Sequence, residues 1–338
     1  MIKRVSLKDI ANKVGVSTAL VSYVLSGQEK KKKVSRELAD KIRKAASEMN
    51  YQPNEIARSL RKGSTKTIGM VIADISNPFF SHLARYVENE AMKYGYTVIM
   101  GSSDEEVGKS EILISTLLKR QVDGFIISPA EGTESQIQKI IEEKVPLVLI
   151  DRFFPGIATN SVILDNYQST YEATTFLINK GYRNIAIVVY KTSLIHMKER
   201  VRGYYEAMMH SDLAGNINII RINALNTHKE IETTCYNSII NDRKIEAIIF
   251  TTNLLSISGL FCIHEHKIKI PDNLAFIGFD GGDCFDLFYS PITFVKQPIE
   301  EMGKDAVRIL IDSINNNSNK NTQIVHKPEL IIRNSCRP

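Results

Sequence analysis

The chain has 338 residues, about twice a typical single domain, so two or more units with a sizeable buried core are expected. Hydrophobic residues at 43% and charged residues at 24% exclude a mainly disordered chain, and no apolar run reaches the roughly 18 residues that a membrane span needs. The net charge of +5 conceals an asymmetry: residues 1–66 hold sixteen Lys and Arg against six Asp and Glu, whereas the remainder holds 27 against 32. A small basic head on a mildly acidic body is the footprint of a nucleic-acid-binding module joined to a unit with another task, although a charge run alone can equally be a solvated face. Residues Met1 to Asp9 lack the apolar stretch of a secretory signal, so a cytoplasmic location is expected. Cys235, Cys262, Cys284 and Cys336 are scattered with no CxxC pair, indicating neither a disulfide framework nor a zinc ribbon.

In chain order, Ser6-Leu7-Lys8-Asp9 reads as the cap of a short helix whose Leu7, Ile10, Ala11 and Val14 recur at helical spacing. Gly15 stands where a left-handed C-cap residue is wanted, Val16 packs inward, and Ser17 caps a second helix from Thr18 to Leu25 that ends near Ser26-Gly27. Two short helices joined by a Gly-containing turn make a helix-turn-helix, or simply a helical hairpin; the basic head favours the former. Ser35 caps a third helix, with Leu38, Ile42, Ala45, Ala46 and Met49 as its inner face.

From residue 67 onward, short β-branched runs alternate with helical stretches: Thr67–Ala73, Tyr96–Met100, Gly124–Ser128, Leu147–Ile150, Asn184–Val189, Asn218–Ile222, Ala247–Thr251, Leu274–Phe279 and Thr293–Lys296. Such alternation over about 270 residues argues for an α/β body with parallel sheets in two similar lobes. Asn315 to Asn321 reads as a polar loop, and Pro328 to Arg333 as the last strand. Ligands of such folds bind at the carboxyl ends of the strands. Asn77-Pro78-Phe79-Phe80, Asp151-Arg152, Asn253, Asp280 and Gln297 all fall at such ends, and Arg200 is read as opening a helix ahead of Gly203-Tyr204. Carboxylates, guanidinium groups and carboxamides suit vicinal hydroxyls, and Phe79 and Phe80 could stack on an apolar sugar face. Plainer readings also exist: Asp151-Arg152 as an ion pair within a lobe, and Asn253 as a helix cap.

The motifs Val5-Ser6-Leu7-Lys8-Asp9-Ile10-Ala11, Val14-Gly15-Val16-Ser17 and Val21-Ser22-Tyr23-Val24-Leu25-Ser26-Gly27 resemble the start of the lactose-repressor (LacI/GalR) family of bacterial transcription regulators. The resemblance continues through Asn50-Tyr51-Gln52-Pro53-Asn54, Ala57-Arg58-Ser59-Leu60 and Asp74-Ile75-Ser76-Asn77-Pro78-Phe79-Phe80, and so spans essentially the whole chain. It implies an all-α helix-turn-helix head plus an α/β two-lobed, periplasmic-binding-protein-like core with parallel sheets. The corresponding divisions are a head at 1–50, a hinge helix and linker at 51–64, and a core at 65–338. Within the core, one lobe takes 65–163 and 297–325, and the other 164–296 and 326–338. The resemblance also implies that Thr18, Ala19 and Tyr23 read bases in the major groove while Ser17, Ser22 and the Lys30–Lys33 run meet phosphates. Tyr23 and Leu20 depart from the family's usual Arg and Thr, which removes a bidentate guanine contact. Asn54 and Ala57 would belong to the hinge helix, with Leu60 as the wedge in the minor groove. Asn77, Phe79, Phe80, Asp151, Arg152, Arg200, Asn253, Asp280 and Gln297 would contact a small sugar-like effector between the lobes. Leu254 departs from the family by standing where Asp commonly follows the Asn.

The implied protein is a homodimer that binds double-stranded, pseudo-palindromic operator DNA, probes no membrane and needs no cofactor. No Walker A loop, GxSxG elbow or HExxH is present. The cluster Cys262-Ile263-His264-Glu265-His266 would turn only Cys262 and His266 to one helix face, so no metal site is expected. A sugar-processing enzyme therefore lacks its motifs, and a solute-binding protein without a DNA role would leave the basic head unexplained. Only five residues follow Arg333, too few for the leucine-heptad tail of the family's tetramers, so a dimer built from the core lobes is expected. Helices at 80–94 and 109–120 could present the self-complementary faces.

Overall fold

In the head, Ser6 starts helix α1 (Leu7–Val14) through a capping box, its side chain accepting from the Asp9 N–H while the Asp9 carboxylate accepts from the Ser6 N–H at 2.8 Å. Gly15 ends that helix at φ 75°, a conformation that costs a residue with a Cβ about 1–2 kcal/mol. Ser17 and Ser35 cap α2 (Thr18–Leu25) and α3 (Arg36–Glu48) by accepting from the Leu20 and Leu38 N–H groups. Ile10, Val21, Val24, Ala39, Ile42 and Ala45 close a small core between the three helices. Leu38 and Met49, expected on the inner face of α3, are only partly buried, and Ala39 takes the inner position instead.

The structure, a computed structural model, describes residues 5–52, 63–224, 227–235, 245–316 and 321–337. Contacts divide the chain into Met1–Thr65 and Lys66–Pro338. The second unit is built on two six-stranded sheets. Its first lobe holds β1 (Thr67–Ile72), α4 (Pro78–Lys93), β2 (Thr97–Ser102), α5 (Val107–Lys119), β3 (Gly124–Ile127), α6 (Glu134–Glu142), β4 (Leu147–Ile150) and β5 (Asn160–Leu164). The chain then passes to the second lobe, with α7 (Asn166–Asn179), β6 (Ile185–Tyr190), α8 (Ile195–His210), β7 (Asn218–Ile222), β8 (Ala247–Phe250), α9 (Asn253–Glu265), β9 (Ala275–Phe279), α10 (Asp283–Leu287) and β10 (Thr293–Lys296). It returns through α11 (Ile299–Asn316) and β11 (Gln323–His326) to the first sheet, and ends in the second with β12 (Glu329–Ile331).

The sheet orders are β11-β5-β4-β3-β1-β2 and β12-β10-β9-β8-β6-β7. All pairings are parallel except β10 with β12, so the carboxyl ends of nearly all strands in a lobe lie along one edge. The central strands are buried on both faces, as their continuous Val, Ile and Phe runs require. Two strands have no counterpart among the runs read from the sequence, β5 and β11, which pair with each other in register from Ser161 with Gln323 to Leu164 with His326. Helices α7 and α8 pack closely in the second lobe. A methyl group built on Gly203 would lie 2.1 Å from the Tyr167 carbonyl oxygen, so only Gly admits this approach.

Candidate functional site

On the head, Ser17, Thr18 and Ala19 are exposed at the start of α2, and Ser22 and Tyr23 are half-buried further along it. The Lys32 ammonium lies over the Tyr23 ring at 5.0 Å, so the residue replacing the family's Arg is tied to the basic run of lysines. Asn54, Ala57 and Leu60 lie outside the described residues.

In the core, Asp151 and Asp280 follow β4 and β9 directly, and both take left-handed backbone at φ 67° and 71°. That conformation is tolerated by Asp better than by bulky residues. The Arg152 guanidinium grips Glu105 through two hydrogen bonds of 2.7 and 2.8 Å, lies 5.7 Å over the Phe80 ring, and faces Asp151 at 3.4 Å. The Asp151-Arg152 ion pair therefore exists, but Glu105 is the stronger partner. Arg200 donates from Nε to Asn166 Oδ1 at 2.8 Å and from a terminal nitrogen to the Thr251 carbonyl, with its guanidinium 4.0 Å above the Phe279 ring. It sits inside α8, a turn and a half after the helix begins, rather than opening it as the sequence suggested. Thr252 caps α9, so Asn253 is its first helical residue and not the cap. Its Nδ2 donates to the Gly281 carbonyl at 2.8 Å. Gln297 Nε2 donates to Asp280 at 2.7 Å.

These groups act on one another electrostatically. Burial pushes the Asp280 carboxyl up to about 6, with Arg200 and the Gln297 bond pulling it down. Burial also raises Asp151, against the pull of Arg152 and Arg200. The His196 imidazole is held well below its usual range by burial and then by Arg152 and Arg200, so it is neutral. Asn77 caps α4 by accepting from the Phe79 N–H at 3.0 Å. Phe79 and Phe80, at 4% and 3% exposure, meet edge to face in the first lobe's core. Neither offers an open ring for stacking; Phe80 touches the charged cluster through Arg152. Five buried polar atoms of this cluster have no hydrogen-bond partner: Ser128 Oγ, Arg152 Nε, His196 Nδ1, Asn253 Oδ1 and Gln297 Oε1. Unpaired buried polar groups are rare and costly, which marks the place as one a ligand completes. A cavity of about 250 Å³ beside it, lined by Phe153, Leu164, Asn166, His196 and Val325, opens where the chain crosses between the lobes.

Residues 6–54 match the family described as bacterial regulatory proteins, lacI family, and residues 174–336 match a periplasmic binding protein-like domain. Over 335 residues the chain is 29% identical to the HTH-type transcriptional repressor PurR of Histophilus somni (strain 2336), covering 98% of this chain and 99% of that one. The chain thus joins a lacI-family DNA-binding head to a periplasmic-binding-protein-like domain. Solved structures share the fold. The lac repressor dimer bound to operator and the anti-inducer ONPF matches with a TM-score of 0.84 at 20% identity, over 98% of this chain and 99% of that one. The transcriptional regulator CelR–cellobiose complex matches at 0.72 and 22%, over 98% and 100%.

Several residues of this core escaped the sequence reading. His196 stands four residues before Arg200 on α8, so the helical period places both on one face. Glu105 follows β2 and was reachable by the strand-end rule applied to the other positions. Glu131, after β3 in the first lobe, accepts from the Thr192 hydroxyl at 2.6 Å and the Ser193 N–H at 2.8 Å in the second. Beside that clasp Leu194 is buried in the first lobe's cluster with Leu149, Phe153 and Phe154. These bonds hold the Glu131 carboxyl below its usual range. No helix among the described residues is long and apolar enough to cross a membrane.

Proposed function

We propose that this lacI-family regulator is a cytoplasmic homodimeric repressor of carbohydrate-metabolism genes whose affinity for a pseudo-palindromic operator is set by a small sugar or sugar-derived effector between the lobes. The observation that carries the reading is the presence, in one chain, of an exposed second helix on a basic head and a cluster of unpaired buried polar atoms at the strand ends. Residues 1–50 form the DNA-binding head, 51–64 the hinge, and 65–338 the effector-binding and dimerisation core. Thr18, Ala19 and Tyr23 read bases, Ser17 and Ser22 meet phosphates, and Asn54, Ala57 and Leu60 act in the hinge at the operator centre. Asp151, Arg152, Arg200, Asn253, Asp280 and Gln297 hold the effector, joined by His196, while Asn77, Phe79 and Phe80 shape the first lobe's wall.

The repressor name of the Histophilus somni relative and the cellobiose of the CelR complex support this reading. We assign the cleft no catalytic role. A solute-binding protein without a DNA role would have no use for the exposed start of α2. The test uses a duplex selected from a random pool by the full-length protein. Binding should fall steeply with salt, as neutralised phosphates release counterions. A chain lacking residues 1–62 should lose the duplex yet be stabilised by the same sugar. Retention of duplex affinity by the truncated chain would show that the head is not the DNA-binding unit.

A further inference from the structure

We infer that the cleft selects an uncharged polyhydroxy ligand and rejects its acid and phosphate derivatives, because each of its cations already faces a carboxylate and most of its unpaired atoms can accept a hydrogen bond. This rests on the reading of the cleft as a sugar site and goes beyond it by fixing the ligand's charge. Two cations face the site, Arg152 and Arg200, against three carboxylates, Glu105, Asp151 and Asp280. The terminal nitrogens of Arg152 are taken by Glu105 and the Pro129 carbonyl, and its Nε, without a hydrogen bond, faces the Asp151 carboxylate at 3.4 Å. Arg200 spends its Nε and one terminal nitrogen on Asn166 and Thr251. His196 adds no positive charge, since burial and the two arginines keep its ring neutral.

The unpaired atoms state what is missing. Both carboxamides are oriented without ambiguity, because Asn253 Nδ2 meets a carbonyl and Gln297 Nε2 meets a carboxylate, each an acceptor. Their oxygens, Asn253 Oδ1 and Gln297 Oε1, are therefore acceptors in want of a donor. The Asp151 and Asp280 carboxylates offer further acceptor sites, and His196 Nδ1 and Ser128 Oγ can act as either partner. A sugar hydroxyl brings the donor this set lacks. A carboxylate or phosphate brings only acceptors at its charged end, and it would be buried against a surplus of negative charge where each arginine already has a carboxylate beside it.

The experiment compares matched sets on the full-length protein by thermal shift and calorimetry at pH 7.5: glucose with glucuronate and glucose 6-phosphate, galactose with galacturonate, and ribose with ribose 5-phosphate. The neutral sugar that binds should do so at least about 100-fold more tightly than its charged derivatives, the scale expected for burying an unpaired charge. Glu105→Gln, which frees the Arg152 guanidinium from its carboxylate, should narrow that gap about tenfold or more. A charged member binding as tightly as its neutral parent would overturn the proposal, as would an unchanged gap in Glu105→Gln. Silence from every member while duplex binding persists would overturn the sugar reading, and the charge assignment would fall with it.

Discussion

Asp280 shows how a binding residue can work against the fold that carries it. Its burial and then its nearness to Asp151 disfavour the ionised form, while Arg200, the Gln297 bond and a hydrogen bond from the Asn253 backbone favour it. The folded chain holds this proton up to about pH 6, whereas an ordinary aspartate releases it near 3.8. Between those values the folded state binds more protons than the unfolded one, so the contribution of Asp280 to stability falls as pH rises through that window. Asp280→Asn keeps an acceptor for Gln297 and removes the charge. Relative to the parent it should gain stability on going from pH 4.5 to pH 7, by roughly 1–3 kcal/mol at about 1.4 kcal/mol per pKa unit. Thermal melts of both proteins across that range would measure the difference; an offset independent of pH would show that Asp280 is not held protonated. The gain should accompany a loss of effector response, as is usual when a strained binding residue is relaxed.

Among the elements, those whose signals are local were legible in the sequence. Ser6, Gly15, Ser17 and Ser35 marked the helix ends of the head because capping needs only neighbours a turn away. Strands β5 and β11 were not legible, since they are held by distant partners: Asn160 donates to the Leu147 carbonyl at 3.3 Å and accepts from the Thr322 N–H at 2.9 Å. The start of α8 was hidden for a related reason. Leu194 supplies no capping bond, and the nearby Thr192 and Ser193 are engaged with Glu131 across the lobes instead. The strand-end rule found Asp151, Arg152, Asn253, Asp280 and Gln297 but not Glu105 or His196. Nor could it anticipate that Phe79 and Phe80 would be spent on the core. The clasp itself makes a prediction. Glu131→Ala and Thr192→Val should each favour open lobes, seen as a larger radius of gyration in X-ray scattering and a several-fold weaker effector affinity. Because both remove one interaction, the double variant should lose little more than either alone. Full additivity would mean that the contact does not couple the lobes.

For the whole molecule, two heads on one duplex gain far more than twice the affinity of one, since the second binds at the effective concentration set by the first. A face suited to pairing two copies lies on the first lobe. Strand β2 is an edge strand of its sheet, with exposed Ile99 and Met100, and it is accompanied by exposed Met92 and Tyr94 at the end of α4 and by Ile112 on α5. An uncovered strand edge with apolar side chains is a surface that soluble proteins usually protect. A two-fold-related copy would cover it, each subunit offering the same patch to the other. Ile112 is 68% exposed in the single chain, so replacing it should cost the monomer's own stability less than about 0.5 kcal/mol. Ile112→Glu would place two like charges near the centre of the paired patch. The variant should sediment as a monomer at micromolar concentration, keep its affinity for the sugar, and bind the palindromic duplex at least about 100-fold more weakly. A variant that remains dimeric with unchanged duplex affinity would show that this face is not where the copies meet.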